Sequence, residues 1–222
     1  MKHSLFKIAL FVFGGLALST GALAQSFKVN PTGVSGSAGA GIVLFDIKHP
    51  AANFTMDQGV YGTVGIEKGV GAMNLFITLS LSYLSTKGET NYNYTGLNST
   101  TYTGSNVGFK SDIFQGGLGL RFKLLTESWF RPYVEGGGLG GYYMMTYEDD
   151  NISGGSDPKL KDNLLDFGYY GEAGLELAFS PQFGVRVGMR MTQNETKPFE
   201  TLGDEKVKYT SEVYFFTLLK NF

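Results

Sequence analysis

Residues 73–85 read Met73-Asn74-Leu75-Phe76-Ile77-Thr78-Leu79-Ser80-Leu81-Ser82-Tyr83-Leu84-Ser85. Large apolar side chains recur at every second position from Met73 to Tyr83, and the positions between them carry mainly Asn, Thr and Ser. Side chains of a β-strand alternate between the two faces of its sheet, whereas a helix repeats every 3.6 residues. The stretch therefore predicts a β-strand with one apolar and one polar face.

Three more segments, 112–124, 165–180 and 183–192, alternate in the same way. Four weaker candidates complete the set: 34–47, 58–68, 129–147 and 206–222. In 34–47 the pattern does not decide which face is the apolar one. The count of eight is even, as a single-chain barrel with both termini on one side of a membrane requires.

The connections between these segments alternate in length. Short turns are predicted at 69–72, 126–128 and 180–182, and longer or more polar connections at 49–57, 94–99, 148–163 and 194–205. Short turns on one side and long loops on the other are typical of transmembrane barrels. A soluble barrel or sandwich that buries the apolar faces inside remains the alternative.

The first 24 residues have the features of a secretory signal. Lys2 and Lys7 flank the start of an apolar run at 8–18, and Ala22-Leu23-Ala24 is a small-x-small cleavage pattern. We expect residues 1–24 to be a cleaved signal peptide and residues 25–222 to form one barrel domain. An uncleaved anchor helix is the alternative, but the apolar run is short for a membrane span.

Composition excludes several classes of protein. Without the signal, 16 basic residues face 20 acidic ones, and the net charge of −4 predicts neither a nucleic-acid patch nor a basic membrane-surface helix. The absence of Cys rules out a disulfide framework and a lipid-anchored lipoprotein. The 32 glycines and 14% aromatic residues suit strands and turns better than helices.

The stretch Arg131-Pro132-Tyr133-Val134-Glu135-Gly136-Gly137-Gly138-Leu139-Gly140 is similar to a strand of the small outer-membrane β-barrel family, the OmpA/OmpX-like eight-stranded proteins. The resemblance extends over 25–222 and implies an all-β fold. That fold is an eight-stranded antiparallel up-and-down transmembrane β-barrel in the outer membrane, preceded by a cleaved signal peptide. The periplasmic peptidoglycan-binding domain of longer relatives is not expected to follow.

The end of the chain resembles the terminal assembly signal of such barrels. The matching positions are Tyr214, Phe216, Leu218 and Phe222, while Lys220 stands where an apolar residue is usual. A lysine at this place can extend its charge to the headgroups. The resemblance implies the barrel-assembly machinery and periplasmic chaperones as partners during biogenesis, outer-membrane lipids and lipopolysaccharide as surroundings, and a monomer.

Charged residues on the polar faces of the strands predict a network inside the barrel. A tight turn centred on Pro181 pairs Leu177 with Val185, which places Glu176 opposite Arg186 and Glu172 opposite Arg190. Partners at such positions lie about 4.5–5.5 Å apart at Cβ, within reach of charge-assisted hydrogen bonds. The predicted lumen network comprises Arg121, Lys123, Arg131, Glu135, Glu172, Glu176, Arg186 and Arg190.

The leading functional hypothesis is a structural or surface-interacting barrel whose lumen is filled by polar side chains. A narrow channel or transporter for small or hydrophobic solutes is the alternative, because glycines at lumen positions leave room; these are Gly117, Gly119, Gly137, Gly168, Gly174 and Gly188.

A lipid A-modifying enzyme is the second alternative. His49 is the single histidine after the signal, and Ser80, Ser82 and Ser85 lie on or near one predicted strand. A nucleophile needs a base within hydrogen-bond reach, and no His-x-Ser spacing occurs, so a non-enzymatic protein is favoured. The acidic group Glu148-Asp149-Asp150 lacks the order of a calcium-binding loop. No metal or cofactor site is expected.

Overall fold

The computed structural model describes residues 32–49, 52–71, 74–95, 101–148, 159–196 and 207–222. Along these ranges run nine antiparallel strands: β1 (Val34–His49), β2 (Ala52–Met56), β3 (Gly59–Gly69), β4 (Leu75–Thr95), β5 (Thr101–Lys123), β6 (Phe130–Glu148), β7 (Lys159–Ala178), β8 (Phe183–Thr196) and β9 (Val207–Asn221). β9 pairs back with β1, so the sheet closes into a ring. In the same ranges no helix has the length and apolar character needed to cross a membrane.

β2 and β3 together occupy one of eight positions in the barrel wall, because both lie between β1 and β4. The wall thus has the predicted eight positions, but the prediction of a loop at 49–57 is wrong where β2 forms. Phe54 and Met56 face inward and pack against buried apolar side chains, which holds this segment in the sheet. A β-bulge separates the two strands: three residues between Met56 and Val60 face two residues of β4.

The pairings fix how far the strands are staggered around the ring. A row of directly paired residues that starts at Leu165 of β7 and leads once around the barrel returns to β7 at Leu175, ten residues away. The row is Leu165, Tyr142, Phe114, Tyr83, Gly62, Ala40, Phe216, Val187, Leu175. With eight wall positions and the usual strand spacings, this stagger tilts the strands by about 40°. A barrel of this size has an interior just wide enough for side chains.

The seam that closes the ring extends to the end of the chain. β1 and β9 pair from Ser35 opposite Asn221 to Lys48 opposite Lys208. The backbone N–H of Phe222 donates to the carbonyl of Val34 at 2.9 Å. A Cβ at Gly36 would lie 3.4 Å from the Phe222 ring, so this glycine leaves the place where the terminal ring lies against the seam.

The outward faces are those that the alternation predicts. Leu79, Leu120 and Phe167 are 49%, 53% and 71% exposed, whereas side chains at neighbouring positions point into the barrel. On β1, where the sequence pattern left the face undecided, Ile42 is exposed and Val43 is fully buried. Even-numbered residues of β1 therefore lie on the outer face of the barrel.

The polarity of the two faces is inverted on the side of the long connections. Beyond Tyr83 and Phe114, whose rings lie 4.9 Å apart on the outer face, the outward residues become polar: the carboxylate of Asp112 accepts hydrogen bonds from Tyr83 and Ser85 and pairs with Lys110 at 2.6 Å. At this level most of the large inward side chains are apolar. A transmembrane strand needs about 9–11 residues, whereas β4 and β5 have 21 and 23. The barrel wall therefore continues above the membrane with a water-facing exterior. We call this part, which lies beyond Tyr83 and Phe114, the head.

The described connections agree with short turns on the periplasmic side. They join β3 to β4, β5 to β6 and β7 to β8. The predicted loops at 94–99, 148–163 and 194–205, like the predicted signal at 1–24, lie largely or wholly outside the described residues.

The lipid-facing assignment predicts a position-dependent cost of charge. Leu120→Arg should lower the free energy of unfolding by about 2–4 kcal/mol, because it places a charge on the lipid face near the membrane midplane. Thr55→Arg, on the exposed outer face of the head, is the matched control and should change it by less than about 0.5 kcal/mol. Urea unfolding of protein folded into lipid vesicles measures both, and equal effects would contradict the assignment.

Candidate functional site in the barrel lumen

All eight charged residues predicted for the lumen lie inside the barrel and are between 1% and 8% exposed. They come from β5, β6, β7 and β8, whose polar faces point inward. The predicted register of β7 and β8 is confirmed, with Leu177 opposite Val185. Charges that would each be costly in an apolar interior are therefore brought together on one side of the lumen.

The first row of charges crosses four strands. Arg121 of β5 lies opposite Glu135 of β6, Glu135 opposite Glu172 of β7, and Glu172 opposite Arg190 of β8. Both Nε and Nη2 of Arg190 lie 2.7 Å from Oε2 of Glu172. Each carboxylate in the row thus has a guanidinium beside it.

Glu135 and Glu172 are like charges at directly opposed positions, an arrangement that is destabilising by itself. Arg121 Nη2 resolves it by pairing with both carboxylates, with Glu172 at 3.2 Å. The hydroxyls of Thr78 and Tyr170 add hydrogen bonds to Glu135 of 2.7 and 2.6 Å.

The second row lies closer to the periplasm and has the order Arg131, Glu176, Arg186. Glu176 pairs with Arg131 at 2.9 Å and with Arg186 at 3.1 Å, and Lys123 Nζ lies 2.9 Å from the same carboxylate. Arg131 also donates from Nε to the carbonyl of Ser128 at 2.8 Å, which ties the row to the turn before β6.

Glu67 of β3 joins the two rows across the lumen. Its carboxylate pairs with Arg121, with Lys123 and, at 2.8 Å, with Arg186. The charge network, defined as Glu67 together with the eight predicted residues, therefore spans the full width of the barrel. Glu67 was not among the residues predicted for the lumen from the sequence, although its parity, opposite to Val60, Val64 and Ile66, placed it inside.

Two tyrosines fill the spaces between the charges. The Tyr133 hydroxyl donates to Glu172 at 2.9 Å, and the guanidinium carbons of Arg121 and Arg186 lie 4.7 and 5.2 Å from its ring centroid. Tyr170 lies 4.5 Å from the Arg190 guanidinium carbon in the same manner. Such cation–π contacts strengthen when the cation is desolvated.

Glycines make room for these rings. A Cβ at Gly174 or Gly188 would lie 2.6 or 2.8 Å from the Tyr133 hydroxyl, and one at Gly119 would overlap the Tyr170 hydroxyl. The space that these glycines leave in the lumen is thus occupied by aromatic side chains. At these three positions the glycines therefore leave no open passage, contrary to the expectation from the sequence.

The extracellular half of the lumen is filled differently. Its buried side chains form an apolar plug, defined as Val43, Ile47, Tyr61, Leu84, Val107, Phe109, Ile113, Tyr143, Met145, Tyr209, Val213 and Phe215. Val43, Leu84, Ile113 and Val213 are fully buried. The expected filling by charged side chains therefore holds in the periplasmic half, whereas the extracellular half is mainly apolar, with Thr90, Ser111 and Asn194 among its buried polar residues. The signal for the plug was adjacent apolar residues, such as Tyr83-Leu84 and Ile113-Phe114, toward the outer end of several strands.

The other candidate residues provide no second site in the described part of the chain. The side chains of His49 and Glu148 lie outside what the structure describes, as do Asp149, Asp150 and Asp157. Among the described residues, no group of three or more His, Asp or Glu side chains could hold a metal ion.

The four residues that resemble an assembly signal all face lipid. Tyr214, Phe216, Leu218 and Phe222 are 36%, 48%, 59% and 75% exposed. Lys220 lies on the same face, with its Nζ 5.2 Å from the centre of the Phe222 ring. Their role as a signal stays a prediction.

A closed antiparallel ring with an apolar outer band and a charge-filled lumen defines the class of membrane-spanning β-barrels. The chain belongs to the outer membrane protein β-barrel domain family, whose sequence model matches residues 9–212. The protein is thus an integral outer-membrane barrel, located in the outer membrane and surrounded by its lipid.

The chain is similar to solved structures of outer-membrane proteins. The outer membrane protein OprG from Pseudomonas aeruginosa is 14% identical, with a TM-score of 0.52 over 89% of this chain and 99% of that one. Ail, the attachment invasion locus protein of Yersinia pestis, is 12% identical, with a TM-score of 0.46 over 85% and 99% of the two chains. Neisserial surface protein A is 13% identical, with a TM-score of 0.44 over 84% and 96%. Comparison with curated protein sequences finds no match.

Removing one carboxylate from the charge network should be costly. Glu67→Gln leaves three buried cations with less compensation, and we expect the free energy of unfolding to fall by about 3–5 kcal/mol. Glu89→Gln, at an exposed position on the head, should change it by less than about 0.5 kcal/mol. Urea titration in lipid vesicles compares the two; a Glu67→Gln variant as stable as the control would show that the ion pairs contribute little.

Proposed function

We propose that this protein is a closed, non-conducting barrel that anchors a folded head at the cell surface, with a structural or surface-interacting role. The observation that carries the proposal is that the lumen is filled twice, by the charge network toward the periplasm and by the apolar plug toward the outside. A solute would have to displace paired charges and then close-packed apolar side chains. Either step alone opposes flow.

The head supports the interaction role. Its interior is packed like that of a soluble barrel, while its outer face carries exposed polar residues such as Asn53, Lys87 and Glu89. A rigid, polar surface raised above the membrane on strands is suited to contact with other molecules, since binding to it requires little ordering of the wall. We infer that the barrel is a monomer, as the resemblance to small outer-membrane barrels implies. We also infer that the protein is non-catalytic, because the buried acids and bases of the lumen are engaged with each other rather than directed at a substrate.

A conductance measurement tests the closed lumen. The protein folded into planar bilayers in KCl should give no stable single-channel steps, whereas a porin inserted in the same bilayers provides the positive control. Glu67→Gln should remain closed as well, because the apolar plug lies outside the region that this substitution loosens. Reproducible ohmic steps from the unmodified protein would favour the narrow-channel alternative.

The barrel-assembly machinery is the partner that we propose for biogenesis, with Tyr214, Phe216, Leu218 and Phe222 as the contact. Deleting Phe222 should reduce the heat-modifiable, folded form in outer-membrane fractions several-fold. Lys220→Leu, which restores the usual apolar residue, is the control and should assemble at least as well as the unmodified chain.

Folding of the Phe222 deletion into lipid vesicles without the machinery separates recognition from stability. The deletion removes one backbone hydrogen bond to Val34 and a ring against Gly36, so folding into vesicles should change little. An equal loss in vesicles and in cells would assign the effect to the seam itself. Normal levels in cells would count against the assembly signal.

A further inference from the structure

Charge is distributed unevenly over the lipid-facing surface of the barrel. Below the level of Tyr83 and Phe114, the outward positions of the described strands carry two charged side chains, Lys68 of β3 and Lys220 of β9. Both lysines are exposed and lie close to the periplasmic end of their strands. A charge in hydrocarbon is costly, and a lysine near the end of a transmembrane segment avoids this cost by extending to the headgroups.

The strand pairings place the two lysines at nearly the same depth, one on either side of β1. Lys68 is paired with Val34, and Lys220 with Gly36, two residues farther along β1. Rows of paired residues descend toward the periplasm by about two and a half residues between β3 and β9, which offsets this step. The Cα atoms of the lysines are therefore about 12 Å apart. Their flexible four-carbon side chains can bring both ammonium groups to one point between them.

The contacts of Lys220 turn its charge toward β1. Its Nζ lies 5.2 Å from the centre of the Phe222 ring, and that ring lies over Gly36, where a Cβ would be 3.4 Å away. Within the described residues neither Lys68 nor Lys220 forms an ion pair with an acidic side chain. An α-carboxylate at Phe222 offsets one of the two cations at most. The surface between the lysines is thus complementary to a group with a single negative charge.

A shallow apolar groove leads from the lysines toward the middle of the membrane. Its floor is the outer face of β1, which carries only small residues here, Gly36, Ala38 and Ala40. Its walls are large apolar side chains of the two neighbouring strands, between 48% and 59% exposed: Val64, Ile66, Phe216 and Leu218. The wall strands are about 10 Å apart, which leaves room for an extended acyl chain.

We propose that Lys68 and Lys220 bind the phosphate of one anionic glycerophospholipid of the periplasmic leaflet, with an acyl chain in the groove along β1. A phosphodiester carries one negative charge, and its oxygens accept hydrogen bonds from ammonium groups. Lipopolysaccharide occupies the opposite leaflet and does not reach this site. The bound lipid contacts β9, β1 and β3, so it bridges the seam that closes the ring. This inference does not depend on whether the lumen is closed.

Native mass spectrometry of the folded protein tests the selectivity. Protein released from detergent micelles that contain equal amounts of phosphatidylglycerol and phosphatidylcholine, with the same acyl chains, should retain one phosphatidylglycerol. We expect a preference of about thirtyfold, because each lysine near an anionic lipid contributes about fivefold. Equal retention of the two lipids by the unmodified protein would overturn the proposal, and this result does not depend on the folding of any variant.

Lysine variants test the location of the headgroup. Lys68→Gln and Lys220→Gln should each lower the preference about fivefold, whereas Lys68→Arg should retain it. Lys87→Gln removes an exposed lysine of the head and is the matched control, since it changes the net charge equally. Heat-modifiable migration confirms that each variant is folded. An equal loss of preference in Lys68→Gln and Lys87→Gln would show that net charge selects the lipid, and would overturn the site.

A bulky residue on β1 tests the groove. Ala38→Phe fills the floor of the groove and should reduce the amount of retained phosphatidylglycerol, although both lysines are present. Ala173→Phe makes the same change at an exposed position on the lipid face of β7 and should leave retention unchanged. Equal retention by the two variants would exclude the groove as the place of the acyl chain.

Discussion

The structure depends on one constraint: inside a membrane, neither a backbone polar group nor a charge can be left without a partner. The pairing of β1 with β9 meets this condition for the backbone by closing the ring. Closure at eight wall positions leaves a lumen that side chains alone can fill. Charges that point into that lumen lack bulk water, and they are stable because they meet one another. Glu67, which contacts two cations of β5 and one of β8, is the residue through which this pairing crosses the barrel.

The two fillings of the lumen follow from the surroundings of each half. Where the outer face meets lipid, apolar residues are used outside and polar ones inside, and the inner polar groups pair. Where the outer face meets water, the same strands carry polar residues outside and mainly apolar residues inside, as in a soluble barrel. Tyr83 and Phe114 mark the change on β4 and β5. The barrel is thus one continuous sheet with two interiors, and both are closed.

Alternation along the chain was sufficient to predict the eight wall positions, the lipid faces of seven of them, and the register of β7 and β8. These features are local, because they depend on residues two apart or on one tight turn. The face of β1 and the strand β2 could not be predicted in this way, since Phe54 and Met56 are held by side chains distant in sequence. The place of Glu67 in the network could not be predicted either. Its parity puts the side chain inside, but only closure of the ring brings β3 within reach of β5 and β8. The lumen glycines were expected to leave open space. This was wrong at Gly119, Gly174 and Gly188, because tyrosines from other strands fill that space.

The inversion of polarity has a consequence for how accurately the hairpins must align while the barrel forms. If one strand slipped by a single residue, its lower part would present charged groups to hydrocarbon, and its upper part would present residues such as Val43, Leu84 or Ile113 to water. The two errors are penalised by different forces, one by the transfer of charge and one by the hydration of apolar surface. Altered salt, temperature or lipid composition affects these forces unequally. Misaligned hairpins are therefore disfavoured under a wider range of conditions than they would be if only one half of the wall penalised a slip.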